Sequence, residues 1–173
     1  MVKTFILALS LLAISLPASA QPIEQIISSA QNGNSGSQFE LGRAYHRGMG
    51  IEKDLIEARR WYKAAAEAGH VEAQFYYGWL FFNGRGVDAD PAEAAKWFQL
   101  AANKGHLVST FNMGRLYMAG SGVPQDVVRG YAYLLAAREK GHKDAEDMIL
   151  EVSATLTEDQ KAQAIALASQ LTN

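Results

Sequence analysis

Between Val71 and Phe82 the apolar residues Ala73, Tyr77, Leu80 and Phe81 recur at intervals of three and four. Such intervals place side chains on one face of a helix. The pattern predicts a helix over about 71–82. A second stripe, Ala94, Trp97, Phe98 and Ala101, follows a glycine-rich break and predicts a second helix. In the break, Asn83-Gly84-Arg85-Gly86-Val87 supplies the glycine that closes a helix in the left-handed conformation. Asp90-Pro91-Ala92-Glu93 then places an acid at the N-cap, proline at the first helical position and Glu at the third. The result is a helical hairpin.

This hairpin recurs every 36 residues: Gly33, Gly69, Gly105 and Gly141 share one register, as do Gly42, Gly78 and Gly114, the loop pairs Gly48/Gly50, Gly84/Gly86 and Gly120/Gly122, and Trp61, Trp97 and Tyr133. A fixed period of this length marks a solenoid, in which each unit buries its apolar face against its neighbours. The expected fold is all-α, with repeats at 33–68, 69–104 and 105–140. Gly inside a helix costs about 1 kcal/mol relative to Ala, so Gly42, Gly78 and Gly114 are expected where another helix backbone comes close. Asp54-Leu55-Ile56-Glu57 repeats the cap and the Glu, whereas Asp126-Val127-Val128-Arg129 keeps only the cap and should start its helix less firmly.

The ends depart from the period. Residues 21–32 align with the second helix of a unit, with Gln25 in place of the tryptophan, and read as a capping half-repeat. Residues 141–173 hold a partial repeat beginning at Lys143, where Leu150 replaces the expected glycine, followed by Thr157-Glu158-Asp159-Gln160, a capping box for a last helix to about Leu171. Nine helices and no strand are expected after residue 20.

Residues 1–20 read as a signal peptide: Lys3, an apolar run from Phe5 to Leu16 too short to span a bilayer, Pro17, and Ala18-Ser19-Ala20 before a cut at Gln21. Gln21 stands where a bacterial lipid anchor would need Cys. The expected location is periplasmic or secreted, with no membrane span in the mature form. Without Lys3 the chain holds 15 basic and 18 acidic residues, a net charge of -3 that gives no footprint for nucleic acid or anionic lipid. There is no Cys, so disulfides, thiol catalysis and Cys-based metal sites are absent.

Ala73-Gln74, Tyr77-Gly78, Gly84-Arg85-Gly86-Val87, Asp90, Ala94, Trp97 and Ala101-Ala102 before Gly105 resemble the Sel-one-like repeat, a tetratricopeptide-like α/α motif. The resemblance spans Gly33 to about Ala145. It implies a right-handed superhelix of antiparallel helix pairs, here a short one, acting as a protein-interaction scaffold. Exported relatives are associated with envelope or host-facing roles. Some cysteine-rich ones are linked to β-lactam binding or hydrolysis, which implies the alternative of an envelope hydrolase or a binder of β-lactams or cell-wall fragments. This chain lacks those cysteines. In the third unit Ser109, Gly130 and Tyr133 replace two alanines and a tryptophan.

Catalytic and metal readings are weak. His70, His106 and His142 occupy equivalent positions after a helix-ending glycine. At about 8–10 Å between packed helices, copies in successive units sit too far apart to share an ion. They read as turn or capping residues, and His46 as a polar helix residue. Gly84-Arg85-Gly86 lacks the spacing and Lys-Ser/Thr of a phosphate loop, Asp88-Ala89-Asp90 lacks the glycine and final Glu of a calcium loop, and Gly120-Ser121-Gly122 is no nucleophile elbow. No enzyme, cofactor, metal or catalytic residue is expected.

What remains is a surface on the first helix of each unit. Glu72, Tyr76, Trp79 and Asn83 lie away from the core stripe; one period earlier stand Gly36, Glu40, Arg43 and Arg47, and one period later Val108, Asn112, Arg115 and Ala119. Stacking should align Glu40, Arg43, Arg47, Glu72, Tyr76, Trp79, Asn83, Asn112 and Arg115 on a concave groove, with Arg43, Trp79 and Arg115 in a row. Trp, Tyr and Arg are the residues most enriched at binding hot spots. The expected protein is a monomeric, exported adaptor holding a protein or peptide partner. On this reading Trp97→Ala is a core truncation costing about 3–5 kcal/mol, while Trp79→Ala leaves folding nearly intact. The leader makes a separate prediction: intact mass of the chain recovered from an expressing bacterium should place the mature N-terminus at Gln21, and a retained leader would overturn the cleavage.

Overall fold

The computed structural model describes residues 23–172; the expected leader and its cleavage point lie outside them. Nine helices and no strand occur among the described residues: α1 Ile23–Gln31, α2 Ser35–Arg47, α3 Leu55–Glu67, α4 Val71–Asn83, α5 Pro91–Ala102, α6 Leu107–Ala119, α7 Val127–Glu139, α8 Ala145–Ser153 and α9 Glu158–Thr172. Hairpins α2–α3, α4–α5 and α6–α7 stack in chain order, α3 on α4 and α5 on α6. This is the expected all-α solenoid. α8 starts at Ala145, two residues after the expected Lys143, and Asp144 before it makes no side-chain cap.

The loop glycines explain how the hairpins close and stack. Gly84 ends α4 in the left-handed conformation, φ +61°, and its N–H donates to the Leu80 carbonyl. The second loop glycine serves the stack. A Cβ on Gly86 would lie 2.9 Å from the Leu55 carbonyl oxygen at the start of α3, and one on Gly122 would collide with the Pro91 carbonyl at the start of α5. Each loop therefore rests directly on the first turn of the second helix in the preceding unit. Glycine is required there by contact as well as by φ.

Helix starts follow the cap chemistry with one correction. Asp54 and Asp90 each accept two backbone N–H groups, from Ile56 and Glu57 and from Ala92 and Glu93, while Asp126 accepts only that of Arg129. The third-position glutamates do not reach back to their caps. Glu93 instead accepts from Lys96 Nζ at 2.8 Å and Trp97 Nε1 at 2.9 Å, and Glu57 accepts from Arg60. The physical reason is that the cap N–H is already used: Asp54, Asp90 and Asp126 donate to the carbonyls of Tyr45, Phe81 and Tyr117, each at 3.0 Å. At the C-terminal end the box is complete, with Gln160 N–H donating to Thr157 Oγ1 and Thr157 N–H to Gln160 Oε1.

The expected backbone approach is present at Gly78 and Gly114 but not at Gly42, where only a side chain comes close. A Cβ on Gly78 would meet the Ala94 carbonyl oxygen and the Phe98 ring at 3.1 Å. At Gly42 the Tyr62 ring fills the space, and at Gly114 Leu134 does so, with the Gly130 carbonyl behind it. Gly130 leaves room for Met118, so the third unit repacks rather than loosens. Tyr133 is buried and its hydroxyl donates to Gln99 Oε1 across the junction of units two and three. In the other units Gln38 and Gln74 bridge the junction, donating to the Ala30 and Ala66 carbonyls. Thr110 is too short for this and turns to its own helix. A cavity of about 180 Å³ opens beside it, lined by Ala102, Tyr133 and Leu171 among others.

The C-terminal helix does not continue the solenoid. α9 packs chiefly on α7, burying Ala164 and Ala168, and Lys140 Nζ holds its end by donating to the Leu171 carbonyl. With α6, α8 and α9 around it, α7 is buried without interruption from Gly130 to Ala137.

Trp97 requires a correction. It is only half-buried: one ring edge meets Tyr77 at 5.0 Å, the Nε1–H is held by Glu93, and the fully buried aromatic of α5 is Phe98. Phe98→Ala should therefore cost about 3–5 kcal/mol, and Trp97→Ala nearer about 2 kcal/mol, as a half-buried ring loses less apolar area. Urea melts of the two variants check the order, which reverses if Trp97 is the core residue. Gly122→Ala should cost more than Gly105→Ala. Both have positive φ, worth roughly 1–2 kcal/mol, but Gly105 faces open space while Gly122 abuts Pro91. Equal losses in the same melts would refute the loop-seating role.

Candidate functional site

Residues of α2, α4 and α6 at one register were expected to share a face, and the structure distributes them unevenly. On α2, Arg43 is tied to Glu40 by a forked contact at 2.9 and 3.0 Å and lies 5.7 Å from the Phe39 ring centre, while Arg47 is exposed. On α4, Glu72 approaches His70 at 3.5 Å and Asn83 donates back to the Trp79 carbonyl.

Tyr76 and Trp79 are half-buried members of an aromatic cluster rather than free-standing groove residues. Tyr76 stacks on Tyr62 with ring centres 5.4 Å apart, and Trp79 lies 5.6 Å from His46. Trp79 also packs against the apolar clusters of the first two units and of the junction beyond. Its truncation will therefore perturb folding as well as the surface, contrary to the expectation for Trp79→Ala. His46 is likewise more than a polar helix residue. Its Nδ1 is 3.3 Å from the Tyr62 hydroxyl, and burial, with help from Lys53, Arg47 and Arg85, lowers its pKa below 6.5. Burial also pushes the Tyr62 hydroxyl well above its ordinary range.

On α6, Asn112 and Arg115 line an open cavity of about 410 Å³. Its walls are Phe82 of α4, Leu116 and Met118 of α6, and Met148 of α8, with Ser121 at the loop side. Phe82, 37% exposed, is an apolar ring left at the surface. Neither Phe82 nor Met148 was singled out in the sequence. Met148 could have been found, since it stands 36 residues after Asn112 in the same register.

The periodic histidines do cap helices. His70 and His106 accept the N–H groups of Ala73 and Ser109 through Nδ1, as Asn34 accepts that of Ser37 through its side-chain oxygen. A second role was not legible. Each ring stacks on a phenylalanine of the unit before: Phe39 on His70 at 4.7 Å, Phe75 on His106 at 4.8 Å and Phe111 on His142 at 4.0 Å. His142 makes the stack alone, with its buried Nδ1 unpartnered. Among the described residues no group of three or more His, Asp or Glu could hold a metal ion, and no helix is long and apolar enough to cross a membrane.

Helical hairpins stacked in chain order define an α-solenoid repeat protein. The family model for the Sel1 repeat matches residues 35–70, 71–106 and 108–142, and the chain belongs to that family. It is similar to a Sel1 repeat protein from Oxalobacter formigenes, at 35% identity and a TM-score of 0.70 over 75% of this chain and 97% of the other. It is also similar to c5321, a protective antigen of uropathogenic Escherichia coli with an SLR fold, at 27% identity and 0.56 over 86% of this chain and 40% of that one. Helicobacter pylori cysteine rich protein B shares the fold at 17% identity and 0.59 over 73% and 93% of the two chains. No curated protein matches the chain. Sel1 repeats generally serve as protein-interaction scaffolds.

Burial lowers the His106 pKa below 6.5, the nearby Glu72 opposing only in part. The folded state therefore binds this proton less readily than the unfolded state. This contribution to stability is complete above the ordinary histidine pKa of about 6.5 and is lost as pH falls below it toward the lower folded pKa. His106→Asn keeps a capping oxygen and removes the titration. Urea melts across this range should show a shallower acid loss in the variant; an unchanged slope would exclude His106 as the cause.

Proposed function

We propose that this protein is an exported, non-enzymatic scaffold that binds a partner polypeptide along the face formed by α2, α4 and α6. The observation that carries the reading is the open cavity on that face, where Asn112 and Arg115 meet the exposed ring of Phe82 and the partly buried Met118 and Met148. Elsewhere the face is closed by its own contacts: Arg43 by Glu40, Tyr76 by Tyr62, Asn83 by the Trp79 carbonyl. Binding is thus centred on the third unit, with Trp79 and Arg47 as flanking contacts. The Lys3-to-Ala20 leader supports a site of action outside the cytoplasm.

A photo-crosslinking amino acid tests this. Placed at Asn112 or Asn83 it should give a discrete adduct in the native envelope; placed at Lys63, exposed on α3, it should give none. Adducts from Lys63 alone would put the partner on another face. Because Trp79 is half-buried, Trp79→Leu is the appropriate variant there, keeping apolar volume while removing the indole.

A further inference from the structure

We infer that the cavity between α4, α6 and α8 receives one large apolar side chain from an internal segment of the partner, with an acidic residue beside it held by Arg115. This rests on the scaffold reading above and adds the chemistry of the segment. Phe82, Leu116, Met118 and Met148 offer apolar walls, and a space of about 410 Å³ admits a Leu- or Phe-sized side chain with adjoining backbone. Methionine walls adapt to the shape of the guest.

The polar side of the cavity selects an anion. Arg43, Arg60, Arg129 and Arg138 each lie within 4 Å of a carboxylate of this chain. Arg115, like Arg47, Arg59 and Arg85, has no ion pair among the described residues, and of these four it is the one that lines the cavity. A guanidinium presents a planar fork that matches a carboxylate. Asn112, half-buried one turn earlier on the same wall, adds an amide donor.

The α8 side of the face is acidic. Glu151 stands 36 residues after Arg115, in the register that carries Arg43 and Trp79, and it is exposed, as are Asp147 on α8 and Asp144 just before it. An acid on the α8 side meets like charge, so the face discriminates by repulsion as well as attraction. The favoured segment carries its acid toward α6 and a neutral or basic residue toward α8. An internal segment fits better than a chain end, because the cavity is open and is flanked on both sides, by exposed Asn83 on α4 and by exposed Glu151 on α8.

The test uses the full mature chain and fluorescent decapeptides, acetylated and amidated, with a Ser-Gly frame around a central Leu-Asp, Leu-Asn or Ala-Asp pair. Leu-Asp should bind at least about tenfold more tightly than either control, as expected for a charge-assisted contact combined with apolar burial. Arg115→Gln should abolish the preference for Asp over Asn without changing Leu-Asn binding, and raising salt from about 0.1 M to about 1 M should shrink that preference. Phe82→Ala should weaken Leu-Asp and Leu-Asn alike; if that variant unfolds early, exposed Arg115 decides alone. Equal binding of Leu-Asp and Leu-Asn, no effect of Arg115→Gln, a requirement for a free C-terminal carboxylate, or equally tight binding of a poly-Glu decapeptide would each overturn the inference. Crosslinks at Asn83 and Asn112 together with failure of all the decapeptides would remove this inference and leave the scaffold reading standing. Loss of the crosslinks as well would remove both.

Discussion

The seam between successive hairpins is the constraint on which this structure depends. No unit can bury its apolar face alone, so every repeat must carry the means to hold the next. Three devices recur at 36-residue spacing: a phenylalanine stacked on the following unit's capping ring, a loop glycine seated on the first turn of the preceding second helix, and a glutamine reaching a carbonyl across the junction. The ring stack joins two functions in one residue. His70 and His106 satisfy a free N–H at a helix start and present a flat face to the neighbour, so the cap and the junction hold or fail together.

Where the devices change, the surface changes. Thr110 cannot reach across as Gln38 and Gln74 do, and the junction is held instead by Tyr133 and Gln99 with a small cavity beside it. Gly130 lets Met118 lean inward, and Met118 forms part of the larger cavity on the opposite helix of the hairpin. One departure of the third unit, Gly130, thus borders the open part of the face through Met118. The first two units are closed by aromatic stacking and short-range ion pairing. The opening that remains lies between α4, α6 and α8.

Much of the fold was legible because it is repetitive and local. Helix periodicity, Asp caps, glycine stops and the Thr157–Gln160 box act within a few residues of chain, so the sequence carries them directly. What Glu57 and Glu93 bind was not legible, for the opposite reason: whether they reach back to their caps depends on the Tyr45 and Phe81 carbonyls, which only hairpin closure brings near. Trp97 was likewise read as core from its period, but Phe98 one position later takes the interior. One residue is about 100° of helix turn, finer than an apolar stripe resolves.

By itself the sequence determined that this chain is a row of three like hairpins with atypical ends, since a 36-residue period, its caps and its glycines admit no other packing of helices. It also named Asn112 and Arg115 as members of one face. Tertiary structure alone decided that Tyr76 and Trp79 are largely engaged by Tyr62 and His46, that α9 folds back onto α7, and that Phe82 and Met148 complete a cavity with Arg115. Those outcomes depend on side chains distant in sequence meeting across a seam, where small differences in size between equivalent positions settle which space is filled and which stays open.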